Sequence, residues 1–184
     1  MRSKATYRDS LKRDLEATIV SLDLPPREKT FLHLRWLDQV LWMERAADSA
    51  RNRYYALRLT TIIGGVIVPA LVSYNVNNVN VGHHVPWPTV VLSLVVAVSA
   101  AVEEFFHYGE RWRHYRRTVE RLKEEGWQFF QLTGNYRRFH GSYADAYPQF
   151  AQRIETLLQS DVNAYMKQVA QDKKEGEEGR TEEP

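Results

Sequence analysis

The apolar and polar positions of this chain divide it into a charge-free middle and two amphipathic arms. From Leu59 to Val102, 44 positions hold no Asp, Glu, Lys or Arg, although 26% of all residues are charged. Two apolar runs, Leu59–Tyr74 and Val85–Val102, fill that stretch. Counted with their aromatic flanks, each reaches the roughly 20 residues of helix that a bilayer core takes. The pattern predicts two spans, about 57–76 and 86–106, joined by the Asn-rich segment 75–86. A buried helical hairpin in a soluble fold is the competing reading. A charge-free stretch of this length in so charged a chain argues against it.

The arms are helical by period. Before the first span Trp36, Val40, Met43, Ala47, Ala50, Tyr54 and Leu57 step alternately by four and three, a heptad seam. Pro26 opens that helix, which then runs for about 45 Å into the membrane segment. After the second span Phe105, Tyr108, Trp112, Tyr115, Val119, Leu122 and Gly126 repeat the spacing. Two such seams on the arms of one hairpin predict an antiparallel stalk, with Trp36 and Trp112 buried between the arms. The aromatic content of the seams predicts wider packing than a two-stranded zipper and so a third helix. Gly134-Asn135 is a helix stop. Beyond a loop over 136–143, a helix over 144–169 carries Phe150, Ile154, Leu158, Val162, Tyr165 and Val169 on one stripe. At the other end, residues 1–24 contain a short amphipathic helix with Leu11, Leu15, Ile19 and Leu22 on one side, expected to pack on the protein rather than lie on the bilayer. Pro25-Pro26 ends it. The expected fold is an all-α membrane protein, a two-span hairpin continuous with a cytoplasmic helical stalk over 25–170. The segment 171–184, Glu-rich with no large apolar residue, reads as a disordered acidic tail.

Charge sets the orientation. Arg51, Arg53 and Arg58 precede the first span, Arg111, Arg113, Arg116 and Arg117 follow the second, and the loop between the spans has no basic residue. Basic residues near span ends stay on the cytoplasmic side, so both termini are expected there, in a plasma (inner) membrane. Tyr74 and Trp87 would mark the outer interface, and Tyr54, Tyr55, Phe105, Phe106 and Tyr108 the inner one. The tail holds three basic and six acidic residues, so leaving it out raises the net charge from +2 to +5. That excess faces anionic lipid, and Arg111, Arg113, Arg116 and Arg117 read as headgroup ligands rather than a nucleic-acid patch. The mean hydropathy of −0.50 averages short spans with long charged helices. The first residues contain no apolar h-region, so the first span is expected to act as its own insertion signal.

Candidate chemistry is sparse. Without cysteine there is no disulfide, thiolate metal site or Cys nucleophile. Adjacent His83 and His84 diverge too far to be a convincing metal site, Asn75, Asn77, Asn78 and Asn80 read as a hydrated loop, and no catalytic motif, metal centre or cofactor site is expected. Glu103 and Glu104 fall at the inner end of the second span, where an ionisable side chain is costly unless paired or functional. Two readings stay open. One is an ion pair with Arg58, level with Glu104 in a symmetric hairpin. The other is a ring of carboxylates at the mouth of an oligomeric, cation-preferring pore, lined by Ser93, Ala97 and Ala100 on the face that ends at Glu104. Small residues on that face also fit helix packing, as do Gly64, Gly65 and Pro69 in the first span. A non-conducting membrane scaffold that recruits a cytoplasmic partner is the alternative to a pore.

The segments Arg35-Trp36 to Glu44, Arg53-Tyr54-Tyr55 to Arg58, Glu110-Arg111-Trp112 to Arg116, Glu120 to Glu125, Gly134-Asn135-Tyr136 and Phe150 to Glu155 together resemble the bacterial SLATT-type two-span family, in its stand-alone branch of domains of unknown function. The likeness covers roughly residues 28–166. It implies a homo-oligomeric membrane protein acting as a pore-forming effector beside nucleotide-second-messenger sensors. These 184 residues contain no fused sensor domain, a departure from that picture, so a trigger is expected from a separate cytoplasmic sensor protein, from the chain's own cytoplasmic helices, or not at all.

Overall fold

The computed structural model describes residues 4–77, 87–139 and 141–181, with side chains over 7–73, 87–139 and 141–163 and at Met166. All regular structure among them is helical: α1 (Lys4–Ser21), α2 (Pro26–Phe31), a π-helical turn (Leu32–Leu37), α3 (Asp38–Asn77), α4 (Trp87–Phe106), α5 (Tyr108–Phe130), a 3₁₀ turn (Gly134–Phe139) and α6 (Tyr143–Thr181). The chain divides into two compact units, a head of Met1–Met43 with Arg117–Pro184, and a hairpin of Glu44–Arg116.

The head is a bundle with an aromatic centre. Leu15, Ile19, Leu22 and Leu24 place α1 and its exit in the core, as its stripe predicts. Lys29 Nζ donates to the Val20 carbonyl at 2.8 Å, holding the end of α1 against α2. Pro26 occupies the first turn of α2, where its missing N–H costs nothing. No break separates α2 from α3. The helix only widens over Leu32–Leu37, where the Asp38 N–H reaches the carbonyl of His33, five residues back. That extra residue per turn lets Leu32, Trp36 and Leu37 all be buried.

Trp36 is 1% exposed and donates its indole N–H to the Leu122 carbonyl at 2.9 Å. Phe130 meets it edge-on at 5.3 Å. Gly126 makes the room, since a Cβ there would stand 2.2 Å from Trp36 Cζ2. Phe129 stacks on Phe150 at 4.4 Å and takes Tyr136 edge-on at 5.6 Å. The expected third helix is α6, which buries Ala146, Phe150, Ile154 and Leu158. Its stripe ends sooner than the sequence predicts, because Val162 is 54% exposed. Tyr165 and Val169 lie outside the described side chains.

Two expectations change. The helix does not stop near Val169; its backbone continues to Thr181. Gln, Lys and Glu are strong helix formers, so this segment holds helical geometry with no large apolar side chain to bury. The second seam is also not continuous. His107 adopts φ +47° between α4 and α5 and rotates one helix face relative to the other. Phe105 is therefore 77% exposed, and Tyr108, Trp112 and Tyr115 are only half-buried. The fully buried part of that seam is Val119, Leu122 and Gly126.

Candidate functional site

Within the hairpin, α3 and α4 meet through small residues. A Cβ on Gly64 would lie 2.1 Å from Val96 Cγ2, so the helices touch there nearly backbone to side chain. Gly65 meets nothing within 4 Å. On α4, Thr89 and Ser99 are buried while Leu92, Ser93, Val96, Val102 and Glu103 are half-buried, and these form the face that α3 covers. Gly64→Leu should therefore wedge the hairpin open and cost about 1–3 kcal/mol, read as a lower melting temperature in detergent. Gly65→Leu should leave it unchanged. Equal effects at the two positions would contradict this contact.

Most of the remaining hairpin surface is apolar and uncovered. Leu59, Ile62, Ile63, Val66, Ile67, Leu71 and Val72 on α3, with Val90, Val91, Leu94, Val95 and Val98 on α4, are each 38–71% exposed. A soluble hairpin core would bury such side chains, and here they lie uncovered. Two helices here are long and apolar enough to cross a membrane. Three of their hydroxyls donate within their own helix: Thr60 to the Ala56 carbonyl at 2.9 Å, Thr61 to Leu57 at 3.0 Å and Ser93 to Thr89 at 2.8 Å.

The sequence-predicted site residues separate into two groups. Ser93 lies toward α3, whereas Ala97, Ala100 and Glu104 are exposed on the neighbouring face of α4. Glu103 is half-buried on the α3 side. The structure forms no ion pair between Arg58 and either carboxylate; Arg58 and Glu104 are both exposed. Where α5 begins, Trp112 lies 6.5 Å from Tyr54 and 6.0 Å from Tyr55, while the Arg53 guanidinium sits 5.7 Å over Tyr108. Gly109 permits this closeness, as a Cβ there would be 2.9 Å from Tyr54. The aromatic residues expected as a belt therefore form two ring groups, Tyr54, Tyr55 and Trp112 in one and Phe105, Phe106 and Tyr108 in the other. Trp87 is 70% exposed at the opposite end of α4. The expectations for Asn78, Asn80, His83 and His84 lie outside the described residues, as do the side chains of Tyr74, Asn75 and Asn77. Arg111, Arg113 and Arg117 are exposed.

Two buried carboxylates escaped the sequence reading. Glu44, with its side chain 4% exposed, takes Arg116 at 3.2 Å, so this arginine has a partner within the protein. In the head, Arg153 grips Glu125 with Nε at 2.5 Å and Nη2 at 2.9 Å, and the Tyr136 hydroxyl donates to the same carboxylate. Burial, and then that hydrogen bond, push the Tyr136 phenol far above its usual range. On the head surface Arg35 chelates Glu155 at 2.7 and 2.8 Å, which holds Glu155 below the usual carboxylate range. Glu125 was legible in part, because it falls on the Leu122–Phe129 face. Its partners, 11 and 28 residues away, left no local trace. No group of three or more metal-ligating side chains occurs among the described residues.

A helical head joined to a paired, outwardly apolar helical hairpin defines an all-α protein with two candidate membrane-spanning helices. Residues 38–142 match the family described as a protein of unknown function, DUF4231, and the chain belongs to that family. No curated protein and no solved structure matches it significantly.

Proposed function

We propose that this chain inserts its hairpin in a membrane and assembles, through its second span, into a cation-permeable pore of roughly four to six copies. One observation carries the reading. The face of α4 with Ala97, Ala100 and Glu104 is left open while a different face packs on α3. Exposed aliphatic side chains support insertion, because burying each large one in apolar surroundings is worth about 1.5–3 kcal/mol. Glu103 and Glu104 then sit at the cytoplasmic mouth and concentrate cations by Coulomb attraction. The likeness to the SLATT-type family supports the same conclusion and a trigger delivered by a cytoplasmic sensor protein.

In planar bilayers under a salt gradient, Glu103→Gln with Glu104→Gln should move the reversal potential toward the non-selective value. If dense reconstituted protein passes no current at any voltage, pH or calcium level, the pore reading is wrong. The scaffold reading then stands, favoured by a head that is a compact unit with its own core. Orientation is tested separately, both termini being assigned to the cytoplasm from the arginine asymmetry. A cysteine replacing Asn78 should react with an impermeant thiol reagent in intact cells, and one replacing Gly179 should not. The reverse labelling would invert the topology.

A further inference from the structure

Arg58 and Glu104 stand at one level of the hairpin and do not pair with each other. Tyr54 lies against Gly109 and Gly64 against Val96, and stepping between those two contacts brings Arg58 opposite Glu104. Both side chains are exposed, and neither forms a described ion pair or side-chain hydrogen bond. This is the inner end of the apolar segment, where an unpaired charge is expensive. The two charges are opposite in sign, fixed at equal depth and carried on different helices. A copy inserted in the same orientation therefore offers each of them its complement at the right height.

We propose that a second copy of this chain covers the open hairpin surface, with Arg58 of one copy ion-paired to Glu104 of its neighbour. The inference rests on the assembly in the proposed function and not on conduction. Charge complementarity selects this occupant. A lipid phosphate would satisfy Arg58 but leave the Glu104 carboxylate unmatched, whereas a second copy satisfies both.

The test uses the full chain in nanodiscs or detergent, with assembly read by mass photometry over a dilution series. Arg58→Glu alone and Glu104→Arg alone each set like charges against each other. Each should raise the protein concentration at half-assembly by at least about tenfold, as expected when attraction becomes repulsion at reduced dielectric. Arg58→Glu chains carry two acids at this level and Glu104→Arg chains two bases. Mixing the two separately tagged proteins should restore assembly, as mixed species containing both tags. This rescue between chains distinguishes the proposal from a pair within one chain, which only the double variant could repair. Three results would overturn it: single variants that assemble like the parent, as a lipid partner for Arg58 predicts; rescue by the double variant but not by mixing; or no rescue by either. A parent chain that stays monomeric at every concentration would instead remove the assembly itself. Assembly without current would remove only the pore.

Discussion

Trp36→Ala should destabilise the head by about 3–5 kcal/mol, the range for removing a large aromatic from a dense core. The side chain is 1% exposed, and its N–H donates to the Leu122 carbonyl at 2.9 Å. Its ring edge occupies the space that Gly126 leaves open, with Phe130 and Phe150 against its other surfaces. Alanine removes all of these contacts together, and a helix bundle cannot close such a void without moving α5. Trp36→Phe keeps much of the volume and loses the hydrogen bond, so its cost should be clearly smaller. Denaturant unfolding of detergent-solubilised protein measures both. Trp112→Ala, which the sequence alone ranks with Trp36, should cost only about 1–2 kcal/mol, since half-exposed rings contribute roughly 0.5–1.5 kcal/mol per aromatic pair. If Trp36→Ala unfolds like the parent, the assignment of the head core is wrong.

Glu125→Ala is the second large effect. It strands a guanidinium and a buried phenol that both bond to this carboxylate. Removing one partner of a buried pair costs about 3–5 kcal/mol. The Arg153 side chain is 42% exposed, so water takes part of its charge and the loss should fall near the lower end. Combining Glu125→Leu with Arg153→Met removes the charge imbalance and should recover a substantial part of the loss, because apolar replacement of a whole ion pair is often neutral. The same unfolding experiment on the single and double variants reads this directly. A double variant as unstable as the sum of its singles would mean that the two groups do not act as a pair.

The two long apolar helices were legible because their signal is local and strong. A run of 44 positions without charge needs no partner to be recognised, and the arginine asymmetry adjoins it in sequence. The first seam was legible for the same reason, since Trp36, Val40, Met43, Ala47 and Ala50 are all buried on a helix without a break. The second seam was read correctly only beyond Val119. His107 adopts φ +47°, and although histidine is enriched among non-glycine residues there, that preference alone does not mark this position as a break. A single such dihedral turns the faces of two helices that share one heptad pattern.

The site divides along the same line. The sequence by itself determined that the chain is helical, that its middle is apolar enough to cross a membrane, and that two carboxylates lie at the C-terminal end of the second apolar helix. Periodicity and charge count along the chain are sufficient for those, since each is a property of neighbours in sequence. Only the tertiary structure decided that Gly64 and not Gly65 is the contact with α4. It also decided that Ala97, Ala100 and Glu104 stay open, that Arg58 does not close on Glu104 within the chain, and that Glu125 joins Arg153 and Tyr136. Those outcomes depend on how far each helix is rotated about its own axis against its partner. That rotation is fixed by packing between residues distant in sequence, which leave no pattern of their own along the chain.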